Sequence, residues 1–109
     1  MHSVVETEPF LRLIARLRLS ETERERIIAT LAHDPQGGDL VQGGGGLRKR
    51  RIARDGGGKS DGLRVFWFYF GESRPLFLVA VIDKHKAENI TKEQLATLRQ
   101  LGEMIKSEA

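Results

Sequence analysis

The stretch that decides the fold is Leu63-Arg64-Val65-Phe66-Trp67-Phe68-Tyr69-Phe70, followed after Gly71–Pro75 by Leu76-Phe77-Leu78-Val79-Ala80-Val81-Ile82-Asp83. Aromatic and β-branched side chains fill both segments, which suits a pleated backbone better than a helix. Strand alternation divides the first into Val65/Trp67/Tyr69 and Phe66/Phe68/Phe70, and the second into Leu76/Leu78/Ala80/Ile82 and Phe77/Val79/Val81. All four faces are apolar, so both strands are expected to be central in a sheet and largely covered. The link Gly71–Pro75 is short enough to fold them back antiparallel.

Upstream, Leu47–Arg54 reads as a third strand, charged enough to lie nearer an edge. Asp55–Gly62 is a Gly-rich loop between it and the central pair. Leu40-Val41-Gln42 is a short extended piece, and Gly43–Gly46 is a flexible or tightly turned connection. Helices flank the strands. Glu8 and Pro9 open one over Phe10–Leu17, whose Phe10, Leu11, Leu13, Ile14 and Leu17 recur at three- and four-residue steps. Ser20 with Glu23 forms a capping box for a second, running to about His33 and burying Ile27, Ile28 and Leu31. Asp34-Pro35-Gln36-Gly37 stops it. Thr91 with Gln94 caps a last helix to about Lys106, burying Leu95, Leu98, Leu101 and Ile105. The expectation is an α+β fold in one domain over residues 1–109. It consists of a small antiparallel β-sheet, a meander of three strands, with an N-terminal helical hairpin and a C-terminal helix.

Composition removes several function classes. The 109 residues contain no Cys, which excludes a disulfide scaffold, a thiolate zinc site, a Cys nucleophile and iron–sulfur ligation. The apolar runs are too short to span a bilayer, and Met1–Glu6 does not read as a signal peptide. A soluble intracellular chain is therefore expected. His2, His33 and His85 are scattered without the helical spacing of a zinc site, so no metal and no cofactor are expected. Gly56-Gly57-Gly58-Lys59-Ser60 looks like the end of a P-loop. However, Ala53 stands where that loop needs its first Gly, and a strand follows instead of a helix.

Charge location is more informative than the net +3. Residues 46–64 hold seven basic side chains and two acidic ones, so this window attracts polyanions, of which nucleic acid is the commonest. On the first strand Lys49 and Arg51 share one face, and Arg48, Arg50 and Arg54 the other. Lys84, His85 and Lys86 end the third strand. In a meander these groups can converge around one concave end, whereas the plainer reading is a solvated basic edge. Arg64 favours function, because a charge opening an apolar strand needs a partner or a ligand. The aromatic block Phe66–Phe70 is expected to be core, with a base-stacking platform as the lesser alternative.

Three stretches, Gly46–Arg54, Gly58–Val65 and Ile82–Thr91, together resemble the RelE/HigB superfamily of bacterial type II toxins, with a layout nearest the HigB-like branch. The resemblance covers roughly residues 4–106. It implies a compact RelE-like α+β fold and a ribosome-dependent endoribonuclease that cuts translated mRNA without a metal. By position, Lys49 and Arg51 look like the basic residues of the family's first long strand. Arg64 looks like its phosphate-binding Arg, and Lys84 like the basic residue ending its last strand. His85-Lys86 stands where that branch often has Asn-Glu, and no Tyr follows near the C-terminus as in the RelE branch.

Lys49, Arg51, Arg64, Lys84 and His85 are thus the catalytic candidates. Lys49 can serve as base if crowding by Arg51 and Arg64 lowers its pKa. His85, intrinsically poised near neutral pH, is the other acid or base. Arg48, Arg50, Arg54, Lys59 and Lys86 are expected to bind RNA. The resemblance further implies a cognate antitoxin, commonly of helix-turn-helix type, so that DNA is bound only through the antitoxin complex. It implies ribosome and mRNA as the other partners, a cytoplasmic location and no membrane. Relatives of the ParE branch poison gyrase, so a non-catalytic nucleic-acid-binding or gyrase-inhibiting module on the same fold is the alternative.

Overall fold

The computed structural model describes residues 1–54, 62–87 and 89–108. In chain order the elements are β1 (Val4–Glu6), α1 (Glu8–Leu17), α2 (Glu21–His33), β2 (Asp39–Leu40), β3 (Leu47–Ala53), β4 (Gly62–Phe68), β5 (Leu76–Asp83) and α3 (Lys92–Ser107). Both expected capping boxes are present, Ser20 with Glu23 on α2 and Thr91 with Gln94 on α3. The strands form one five-stranded sheet in the order β1-β5-β4-β3-β2. The expected meander is its centre, since β3 pairs antiparallel with β4 and β4 with β5.

The sheet is mixed, however, not wholly antiparallel. β1 adds to the outer edge of β5 in parallel, with Val4 opposite Leu76 and Glu6 opposite Leu78. Leu76 N donates to Ser3 O at 2.9 Å, and Thr7 N to Leu78 O at 3.1 Å. Three residues are too few to display a period-2 pattern, so this strand is invisible in the sequence. It forms because the β5 edge offers unpaired backbone groups. On the other edge, β2 pairs with β3 through Asp39 and Leu40, and Val41 N donates to Leu47 O at 2.8 Å. A tight turn joins these two strands, with φ of 75°, 65° and 102° at Gly43, Gly45 and Gly46.

A second departure lies inside β5. Phe66 is opposite Ala80, but Trp67 is opposite Leu78, so Val79 is an extra residue on β5. Such a bulge reverses which face each later side chain takes. Leu76 and Leu78 pack on the α1/α2 side with Phe10, Ile27, Leu31 and Trp67. Beyond the bulge it is Val81 that joins this cluster, while Val79, Ala80 and Ile82 lie on the α3 side with Leu47, Phe66, Phe68 and Leu98. The simple alternation expected for β5 therefore fails at Ala80.

Three of the five residues of the aromatic block are core. Phe66, Trp67 and Phe68 are fully buried, and Trp67 Nε1 donates to Pro35 O at 2.8 Å. These three rings have no exposed face to offer a base, while Tyr69 and Phe70, just past the end of β4, are half-buried against the two sides of the core. α3 lies close on its side of the sheet because Gly102 leaves room for the Phe68 ring. Its C-terminal end is held by Arg74, which donates to Ile105 O at 2.6 Å and covers the rings of Phe70 and Phe77.

Candidate nucleic-acid interface

The β3–β4 register sorts the basic residues. Lys49 is opposite Phe66 and Arg51 is opposite Arg64, so Lys49, Arg51 and Arg64 share the face on which Phe66 packs toward α3. Directly opposed like charges destabilise a sheet. Among the described residues none of the three makes an ion pair or a side-chain hydrogen bond that would offset this. Arg64 and Lys49 are half-buried and Arg51 is exposed. The arrangement is a concentrated positive field with two guanidinium forks, whose geometry matches phosphate oxygens.

Lys84 follows β5, and its backbone N donates to Gly62 O at 3.1 Å, extending the ladder beside Arg64. Continued alternation carries Lys84 to the face of Ile82 and Arg64. This placement depends on the Val79 bulge, since an unbroken strand would send Lys84 to the other side. His85 and Lys86 are exposed in the turn that follows.

Arg48, Arg50 and Arg54 do not converge with this cluster. They occupy the α2 side of the sheet, because Arg48 is opposite Trp67 and Arg50 opposite Val65, whose side chains belong to that core. Each is engaged by the protein. Arg48 donates to Gln36 O at 2.8 Å, and Arg50 pairs with Asp34 at 3.2 Å. Arg54 pairs with Glu23 at 2.7 Å and with Asp83 at 3.3 Å. The single concave end expected from the sequence is thus divided between two faces. Lys59, and with it Gly56–Ser60, lies outside the described residues.

The contacts of Arg54 expose two carboxylates that sequence reasoning passed over. Glu23 and Asp83 are both buried. The Arg54 guanidinium holds the Glu23 carboxyl below its ordinary range, outweighing the opposing effect of burial, and Glu23 in turn raises the Arg54 pKa. Glu23 was legible as a helix cap, and its Oε1 does accept from Ser20 N at 3.0 Å. Its second role was not, because it requires a partner 31 positions away. Among the described residues no group of three or more His, Asp or Glu is placed to hold a metal ion, and no helix is long and apolar enough to cross a membrane.

The family model for the RelE toxin of RelE / RelB toxin–antitoxin systems matches residues 3–108. The chain belongs to the RelE toxin family. Among solved structures it is similar to that of an E. coli toxin RelE carrying two arginine-to-alanine substitutions, in the free state. The TM-score is 0.53 at 18% sequence identity, covering 80% of this chain and 87% of that one. At that identity the likeness concerns the fold: a mixed sheet with helices on both sides. Membership of the RelE family implies an antitoxin partner.

Proposed function

We propose that this RelE-family chain is a ribosome-dependent mRNA endoribonuclease that inhibits translation without a catalytic metal. The observation that carries the reading is the opposed pair Arg51–Arg64, with Lys49 on the same face and no anionic partner among the described residues. A sheet tolerates such a pair at a cost, and an anionic ligand relieves it. Cleavage would begin with attack of the ribose 2′-oxygen on the adjacent phosphorus. The bond to the 5′-oxygen then breaks, leaving a 2′,3′-cyclic phosphate and a 5′-hydroxyl. Arg64 and Arg51 bind the non-bridging oxygens as charge grows on them. Lys49, Lys84 and His85 are the groups at hand to take the 2′-hydroxyl proton and supply one to the leaving oxygen. The ribosome holds the mRNA, which lets a small site suffice. Lys86 and Lys59 add contacts to the RNA backbone, and Arg48 and Arg50 can do so only from the opposite face.

The reading includes a cytoplasmic location and a helix-turn-helix antitoxin that covers the basic face and binds operator DNA on behalf of the complex. Brief expression followed by mapping of transcript ends tests it. Cuts within open reading frames, bearing cyclic phosphate or its hydrolysis product, are expected on translating ribosomes. Unbroken transcripts with arrested gyrase would give the ParE-like alternative instead.

A further inference from the structure

Asp83 stands at the point where the sheet becomes the basic turn. Its Oδ1 accepts from His85 N at 2.9 Å, the arrangement of an Asx turn. Its backbone O accepts from Lys86 N at 2.9 Å and from Ala87 N at 3.0 Å. Three consecutive amides of the turn are therefore bound to one residue. The other carboxylate oxygen, Oδ2, accepts from Arg54 Nη1 at 3.3 Å. Arg54 is fixed from behind by Glu23, with Nε donating to Oε2 at 2.7 Å and Nη2 to Oε1 at 3.3 Å. Glu23 is itself locked by the capping box at the start of α2. The chain of contacts runs from α2 through Glu23, Arg54 and Asp83 to the residues that carry Lys84, His85 and Lys86.

The parts suit a clamp better than a surface ion pair. Both carboxylates are buried, and one guanidinium bridges them with its planar fork. The Val79 bulge turns Asp83 toward Arg54 while sending Lys84 to the face of Arg64. The same displacement thus makes the clamp and the catalytic face possible together.

We propose that Glu23, Arg54 and Asp83 form a positioning triad that holds the Lys84–Lys86 turn in register with Lys49, Arg51 and Arg64. The inference rests on the ribonuclease reading for its catalytic consequence, and on geometry alone for the ordering of the turn. Arg54, expected from sequence to bind RNA, acts here through Asp83 and does not touch substrate.

Amide hydrogen exchange and single-turnover cleavage on programmed ribosomes test it together, in the wild type and in Arg54→Gln, Arg54→Lys and Asp83→Asn. In Arg54→Gln, exchange at His85, Lys86 and Ala87 should quicken by about tenfold or more, with the β4–β5 ladder amides little changed. Maximal cleavage should fall by about tenfold to a hundredfold with half-saturation unchanged, as expected when a group is displaced and binding is not. Arg54→Lys keeps the charge but reaches only one carboxylate, and should fall between. Asp83→Asn keeps an acceptor for His85 N and should lose less turn protection than Arg54→Gln. Unchanged exchange at the three turn amides in Arg54→Gln would overturn the proposal. So would loss of protection spread evenly over the sheet, or a loosened turn with full cleavage. A wild-type chain that cuts no RNA refutes the ribonuclease reading instead, and the exchange arm then decides the clamp by itself.

Discussion

Arg64 is where stability and function should separate with opposite signs. It sits directly across from Arg51 with Lys49 on the same face, and no carboxylate among the described residues offsets the three. Two unit charges about 5 Å apart in water repel by about 0.8 kcal/mol. That agrees with the range of ~0.2–1 kcal/mol for directly opposed cross-strand pairs. Replacing Arg64 by Met keeps the apolar stem and removes the charge, so little packing is lost. Arg64→Met should therefore stabilise the fold by roughly 0.5 kcal/mol, a rise in Tm of about 2–4 °C for a domain of this size. The gain should fade at 1 M salt, where the Debye length is about 3 Å. Cleavage should fall by about 10²–10³, the usual cost of removing one group that stabilises transition-state charge. Thermal unfolding at low and high salt, paired with the ribosome assay, measures both. A destabilised variant, a gain that persists at high salt, or undiminished cleavage would refute the reasoning.

Other expectations are more local. Glu23 has a folded pKa below its ordinary 4.5 because Arg54 stabilises the charged form, so its contribution to stability is complete above that value and is lost as pH falls through the folded pKa. Glu23→Gln should accordingly be less stable than wild type at neutral pH, and the difference should shrink on acidification below 4.5, read by denaturant titration at several pH values. In Gly102→Ala the new Cβ would fall 2.5 Å from Phe68 Cζ and 2.6 Å from Cε1, against a ring that is fully buried. Overpacking of about 1–3 kcal/mol should exceed the ~1 kcal/mol gained in helix propensity, so urea unfolding should show net destabilisation. Arg74→Met removes the donors to Ile105 O and Lys106 O and the cation over Phe70 and Phe77. It should fray the end of α3, seen as faster amide exchange there, at a cost of about 1–2 kcal/mol.

By itself the sequence determined the parts of this protein whose information is local. Capping boxes place the starts of α2 and α3, because the side chains that satisfy the first free N–H groups lie within one turn. The apolar content of Leu63–Phe70 and Leu76–Ile82 specified two central strands, because only a covered sheet buries both faces. Alternation along Leu47–Ala53 divided Lys49 and Arg51 from Arg48 and Arg50, and the structure keeps that division. Tertiary structure decided the rest. β1 exists because an edge of β5 was open to it. On the α2 face Arg48, Arg50 and Arg54 are engaged by Gln36, Asp34, Glu23 and Asp83, at separations no local pattern records. Most consequential is the extra residue at Val79. A bulge is a property of two strands in register, and nothing in one strand's own alternation marks where its phase will slip. That slip turns Asp83 toward Arg54, and continued alternation then carries Lys84 to the sheet face that holds Arg64, so the candidate site owes its residues to the sequence and their shared face to the pairing of β5 with β4.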